Sequence, residues 1–483
     1  MDYTCAQYRS ETFEALAYAG TVQKLVSAFG YPAELDGFRF DPTYMVRGLA
    51  IDKKRGHVIK MDRHKYVKLA YHGFRELSRE ERLGTYGSPE TRESFDEPDF
   101  ALIDTLFSLA EAYLFSQIVE LMDTRPELFA GAPKTYEQVY AEVRGAVDLC
   151  HRDGTLKQAV AEDPGRYIYP DDALVPLLKT LRQSGKKVFL VTNSLWDYTD
   201  VVMNYLVSGK VGEARDREWL DLFDVVISGS GKPAFFHASR RDIFEVEPDS
   251  GRLVNTDNGA PLVPIGGTPS TVDYEMFASS EAGQKVFQAG NFKHLHSMLG
   301  VTSGTQVLYV GDHIYGDILK SKKTLGWRTV LIVPELAWEL QVLSEAQGRE
   351  ADFRALRQRR DALEDEIQRL EWVLEHGAPL SEEEQAQAVA RVERLAEERD
   401  GVRDAHRSGL RAYHAIFHPV WGQVMKTGYQ NSRFASQIER FACLYTSHVS
   451  NLMGYSPHRN FRSKTDGLPH DASAMRASGA AET

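Results

Sequence analysis

The chain has 483 residues, 42% hydrophobic and 26% charged, the balance of a globular protein with roughly two to four domains. Its formal net charge of −12 argues against a nucleic acid or an anionic membrane as the main partner, while a local basic pocket for one phosphate stays compatible with it. No apolar run is long enough to span a bilayer, and the first residues lack a signal peptide's basic and apolar regions; Cys5, Cys150 and Cys443, far apart and without a CxxC, read as reduced thiols of a cytoplasmic protein rather than a disulfide frame or a zinc site.

Asp2-Tyr3-Thr4 reads as the tail of a strand-end loop with no strand leading into it. Glu14 to Phe29 predicts a helix stopped by Gly30. Val58–Asp62 and Tyr66–Leu69 flank Arg63-His64-Lys65 as a hairpin. Phe100 to Phe115 is strongly apolar and predicts a helix, continued by Gln117–Leu121; Tyr136 to His151 predicts another. On the latter Arg144 and Asp148 share a face, His151 follows, and Lys157 lies just beyond Gly154; taken alone they are a surface ion pair with solvated neighbours.

Leu174 to Ser184 predicts a helix capped by Gly185, and Val188–Val191 a buried strand ending in Thr192-Asn193-Ser194. A hydroxyl and backbone N–H groups at a strand end can hold phosphate oxygens, or form a plain turn. The helix from Trp196 to Tyr205 adds its N-terminal dipole. A third strand, Phe223–Ile227, runs into Ser228-Gly229-Ser230-Gly231-Lys232-Pro233, where glycines turn the chain and Pro233 stiffens the exit, so Lys232 is held. Val307–Val310 then stops at Gly311, and Asp312 and Asp317 follow. Two acids at a strand's carboxyl edge, with no Lys or Arg between them, suit a hard cation such as Mg²⁺ better than a salt bridge, or are simply an Asp turn or a helix N-cap.

Phe353, Leu356, Leu363, Ile367, Leu370 and Leu374 keep an a/d spacing broken once by Arg360. Gly377-Ala378-Pro379 turns the chain, Ser381 and Glu384 form a capping box, and Ala388, Val392, Leu395 and Val402 continue a second helix. The pair reads as an intrachain helical hairpin, with homo-oligomerisation through it left open. Phe434 to Leu452 predicts a further amphipathic helix, and from Ser456 the polar composition predicts disorder.

In this order MDYT at 1–4, TNSLWDYTD at 192–200, KPAFF at 232–236 and GDHIYGDILKSKK at 311–323 resemble the haloacid-dehalogenase (HAD) superfamily, in its purine cytosolic 5′-nucleotidase branch; RGL at 47–49, HGF at 72–74 and FASQ at 434–437 add to it. The resemblance implies an α/β fold: a HAD-like Rossmannoid parallel sheet, a large inserted α+β cap and the helical hairpin. The segments it implies are a remnant of the first motif loop at 1–7, cap at 8–167, core at 168–345, hairpin at 346–410, C-terminal helices packed on the core at 411–455 and tail at 456–483. The family's first motif is D-M-D-Y-T, with the first Asp as nucleophile. That residue is expected directly upstream of Met1, and the central strand further upstream. Either translation begins upstream, or the chain is a non-catalytic nucleotide-binding or scaffold protein.

The resemblance further implies Mg²⁺-dependent hydrolysis of a purine nucleoside monophosphate through an aspartyl-phosphate. Asp2 would be the general acid and base, its carbonyl reaching the metal. Asp312 would ligate Mg²⁺, with Asp317 supporting through water. Thr192 and Lys232 would hold phosphoryl oxygens, and Asn193 and Ser194 would orient the loop and substrate. In the cap, Phe107 would stack on the base, Arg144 and Asp148 would read the edge of a 6-oxopurine (IMP or GMP), and His151 and Lys157 would lie near base and ribose-phosphate. Ser108 stands where the family carries Asn, which would shorten or lose a contact. Asp104, Lys323, Gln437 and Arg440 align with the family's nucleotide-effector region, where Asp104 replaces an amide and would repel an anionic effector.

Overall fold

The structure is a computed structural model, and it describes residues 1–88, 95, 98–212, 215–238, 240–254, 256–257, 260–261, 285–346 and 348–462. Helix α1 (Ala15–Phe29) ends at Gly30, whose φ of 69° closes the last turn in the left-handed region. Strands β1 (Leu49–Asp52), β2 (His57–Met61), β3 (Val67–His72), β4 (Arg75–Glu76) and β5 (Phe100–Ile103) form an antiparallel sheet in the order β4-β3-β2-β1-β5. The β2–β3 pair is the hairpin predicted around residues 63–65. Helices α2 (Ser108–Thr124) and α3 (Tyr136–Arg152) follow, and α1 packs on both. The chain passes into this α+β unit and out again side by side, with Tyr8 bridged to Ile168.

One expectation fails here. Phe100–Ile103 is a strand paired with β1, and the helix starts only at Ser108. Periodicity cannot separate a short, doubly buried strand from a buried helix, and the β1 edge decides the matter. The consequence is functional, because residues 104–107 become a loop that presents Phe107.

After helix α4 (Leu174–Gln183) comes a second sheet. Strand β6 (Phe189–Val191) pairs in parallel with β7 (Val225–Ser228), and helix α5 (Trp196–Ser208) lies between them in sequence. Strand β8 (Ile243–Glu245) pairs antiparallel with β9 (Val286–Ala289), which is parallel to β7, giving the order β6-β7-β9-β8. A third sheet is parallel throughout: β10 (Leu308–Gly311), β11 (Arg328–Ile332) and, near the C-terminus, β12 (Leu444–Thr446). Among the described residues the strands of the expected parallel sheet, read from sequence as lacking its central strand, fall into two sheets. Tyr309 on β10 reaches across, its hydroxyl donating to the Val191 carbonyl at 3.4 Å and its ring stacked 6.3 Å from Phe189.

Helix α6 (Leu336–Glu345) leads into the hairpin of α7 (Arg349–His376) and α8 (Glu382–Phe417). The Ser381–Glu384 capping box is formed in both directions, and Leu363 and Ile367 are buried on the seam. Helix α9 (Arg433–Phe441) is shorter than predicted: past Phe441 the backbone is extended, Leu444–Thr446 forms β12, and Val449–Gly454 closes as a short 3-10 turn. Of the tail expected to be disordered, 463–483 lie outside the described residues. Among the described residues no helix is long and apolar enough to cross a membrane.

Candidate active site

Strands β6 and β10 end at the same place, and the N-terminal loop fills the space above them. Thr4 Oγ1 donates to Asp312 Oδ1 at 2.9 Å, and Ser194 Oγ donates to Asp2 Oδ2 at 2.8 Å. Tyr8 donates to Asp2 Oδ1 at 2.6 Å, and its hydroxyl lies 2.8 Å from that of Tyr198. Burial and then the Asp2 carboxylate push both phenols up, so they stay protonated around that acid. Asp2 is therefore oriented on both oxygens by hydroxyls.

Lys232 enters from the loop after β7. Its ammonium lies 2.8 Å from Asp317, 3.0 Å from the Tyr309 hydroxyl and 3.1 Å from the Val191 carbonyl. This corrects the expectation that the two acids have no salt bridge: Asp317 has one, from a lysine remote in sequence. Burial opposes the charged forms, yet their attraction prevails, holding Lys232 above its ordinary value and Asp317 below. Asp312 behaves oppositely. Burial, then the neighbouring Asp317 charge, raises it. Gly311 makes the approach feasible, since a Cβ there would sit 2.5 Å from Asp317 Cβ.

Thr192 is buried, and its hydroxyl accepts from the Ser194 N–H at 3.1 Å. Asn193 is exposed yet clamps the neighbouring loop: its Oδ1 accepts from the Lys232 N–H at 2.6 Å and the Ser230 hydroxyl at 3.0 Å, and its Nδ2 donates to the Lys232 carbonyl at 3.1 Å. The donor set at Asp312 and Asp317 is oxygen only. A buried carboxylate raised for want of a counter-charge fits a hard divalent cation. Among the described residues no three His, Cys, Asp or Glu side chains converge as ligands, so such an ion would take these two, with backbone oxygen and water completing its shell.

Residues of the loop before α2 and of α3 approach from the other side. The Tyr3 ring meets Phe107 edge-on at 4.9 Å, and Phe107 lies 6.2 Å from the His151 ring. His151 is held below its ordinary value by desolvation and by Arg144. Lys157 sits 5.9 Å over the Tyr198 ring, one residue from Asp2. Ser108 opens α2 directly after Phe107. Arg144 and Asp148 are 3.6 Å apart, but the stronger partner of Arg144 is buried Glu111 at 2.8 Å. In the expected effector region Asp104 is not a bare repelling charge, because buried Arg433 pairs with it. Gln437 bonds to Tyr315 there, and Lys323 and Arg440 each lie 5.2 Å from the Phe441 ring.

Two site residues carried no role in the sequence reading. Arg47 forks onto Glu335 at 2.7 and 2.6 Å and donates to the Asp312 carbonyl at 3.2 Å. Its RGL motif meets FASQ in space, for a Cβ on Gly48 would lie 2.5 Å from Phe434 Cβ. Glu14 accepts from the Tyr3 hydroxyl at 2.9 Å and is pushed up to about 7 by burial. Its only sequence signal was its place at the start of a predicted helix.

A model of the 5′ nucleotidase family matches residues 1–473. A 5′-nucleotidase domain-containing protein of Dictyostelium discoideum is 27% identical over 478 residues, covering 97% of this chain and 71% of that protein. With motif order, strand-end geometry and a match over nearly the whole length in agreement, the chain belongs to the 5′ nucleotidase family.

Proposed function

We propose that this protein is a Mg²⁺-dependent 5′-nucleotidase acting in the cytoplasm on purine nucleoside monophosphates of the IMP and GMP type. The observation that carries the reading is the convergence of Thr192, Lys232, Asp312 and Asp317 with the Asp2 loop where the strand ends of two sheets meet, Phe107 standing one ring away. The nucleophile is a carboxylate on the residue preceding Met1. It attacks phosphorus, the bond to the ribose 5′-oxygen breaks, and Asp2 delivers a proton to that oxygen. Asp2 then takes a proton from water, which attacks the aspartyl-phosphate and releases phosphate. Ser194 and Tyr8 hold Asp2 in place for both transfers. Thr192 and Lys232 receive the phosphoryl oxygens as charge grows on them. Asp312 and Asp317 would hold Mg²⁺, which when bound would supply positive charge to offset that growing on the phosphoryl oxygens. The base stacks on Phe107 under His151, its edge toward Arg144 and Asp148, and Lys157 faces the ribose-phosphate.

The test is phosphate release from IMP and GMP by a chain extended upstream through the residue before Met1. Release is expected to require Mg²⁺ and to fall about 100-fold in Lys232→Ala. No release above that variant would sink the enzyme reading; nucleotide binding without release would leave a non-catalytic binding protein.

A further inference from the structure

Between α1 and α2 lies a small pocket lined by Glu14, Thr21, Phe107, Glu111 and His151. Its buried Thr21 and Glu111 already have partners. Thr21 donates to the Ala17 carbonyl at 2.7 Å, and Glu111 holds Arg144. Glu14 is different: the residue is 4% exposed, Oε1 takes the Tyr3 hydroxyl, and buried Oε2 has no partner. A buried acceptor left unpaired carries a desolvation penalty, which a donor arriving with a ligand would remove. Tyr3 also touches Phe107 and directly follows Asp2, so the carboxyl is oriented by the loop that carries the proposed acid.

We infer that Glu14 reads the substituent at position 2 of a purine stacked on Phe107, favouring an exocyclic amine. This rests on the nucleotidase reading and deepens it. A guanine presents an N–H donor there, hypoxanthine presents hydrogen, and xanthine presents a carbonyl that would face the carboxylate oxygen. A site built to accept a hydrogen bond rejects the ligand lacking the donor far more strongly than an apolar pocket rejects a small change of size. Glu14→Gln replaces one acceptor by a donor at nearly constant shape, so it inverts the preference and does not merely weaken it.

The experiment is calorimetric binding of GMP, IMP and XMP to the full chain and to Glu14→Gln at mildly alkaline pH. The wild-type protein is expected to bind GMP about 10-fold tighter than IMP, with XMP weakest. In Glu14→Gln, GMP is expected to lose about 10-fold while XMP gains. Equal binding of GMP and IMP by the wild-type chain would overturn the inference without any variant. A uniform loss for all three nucleotides in Glu14→Gln would overturn it too, assigning Glu14 to support of Tyr3. If the wild-type chain binds none of the three, the nucleotidase reading itself fails.

Discussion

Glu14 and two half-buried histidines pull the stability of this protein in opposite directions with pH. Burial raises Glu14 from 4.5 to about 7, so the folded chain holds a proton there that the unfolded chain has released. Its contribution is fully present below pH 4.5 and is lost as pH rises toward 7, with an upper limit of about 3 kcal/mol. His57 and His414 are lowered by burial to about 4, so their contribution is instead lost as pH falls below about 6.5. The total slope is therefore blurred, and the difference between wild type and Glu14→Gln isolates one group. Urea unfolding of both between pH 4.5 and 7 is expected to show that difference shrinking or reversing with pH, in the sense that the wild type loses stability relative to Glu14→Gln. A constant offset across the window would mean that Glu14 is ionised throughout. At this scale legibility in the sequence followed locality. Asp312 and Thr192 were visible because a strand end and its turn are contiguous. The Arg47–Glu335 fork was not, its partners being 288 residues apart. Lys232 was correctly judged to be held, but its acidic partner comes from another loop, 85 residues on.

Elements that depend only on their own sequence were the ones read well. The α7–α8 hairpin announced itself by its heptad spacing and its Ser381–Glu384 box, both local signals. Phe100–Ile103 and Leu444–Thr446 were misread because each is a strand only by virtue of a remote edge, β1 in one case and β11 in the other. The hairpin's base is tied to the body through Phe353, Tyr413 and Phe417 beside Val342, and Arg357 lies 5.0 Å from the Tyr429 ring. Further out, Arg359–Glu398 and Arg391–Glu366 join the two helices to each other. Such exposed pairs contribute at most about 1 kcal/mol apiece. Replacing residues 362–396 by a short glycine-containing turn is thus expected to leave GMP affinity within about twofold, since the site's own contacts are untouched. Calorimetry on the trimmed chain checks it, and a loss of binding alongside an intact melting transition would assign the hairpin a role at the site.

At the scale of the whole molecule, three pieces meet at one point: the sheet of β6 to β9, the sheet of β10 to β12, and the N-terminal loop. A shared apolar cluster joins the two sheets, and polar contacts cross at the site itself, among them Thr4 on Asp312, Ser194 on Asp2 and Lys232 on Asp317. Each of these polar contacts joins a different pair of pieces, and burial beside the Asp317 charge still raises Asp312 above its ordinary value. A divalent cation on Asp312 and Asp317 would relieve that charge while binding only the assembled state, because an unfolded chain does not bring these oxygens together with the loop. Linkage then converts affinity into global stability, about 2.7 kcal/mol at a Mg²⁺ concentration 100 times Kd. The expected result is a melting temperature that rises by a few degrees with Mg²⁺ at neutral pH in the wild-type chain and stays put in Asp312→Asn. Scanning calorimetry with and without Mg²⁺ decides it. A Tm unmoved by Mg²⁺ would remove the cation from this site, and an undiminished shift in Asp312→Asn would move it elsewhere. Because the readout is unfolding and not turnover, it holds whatever supplies the nucleophile.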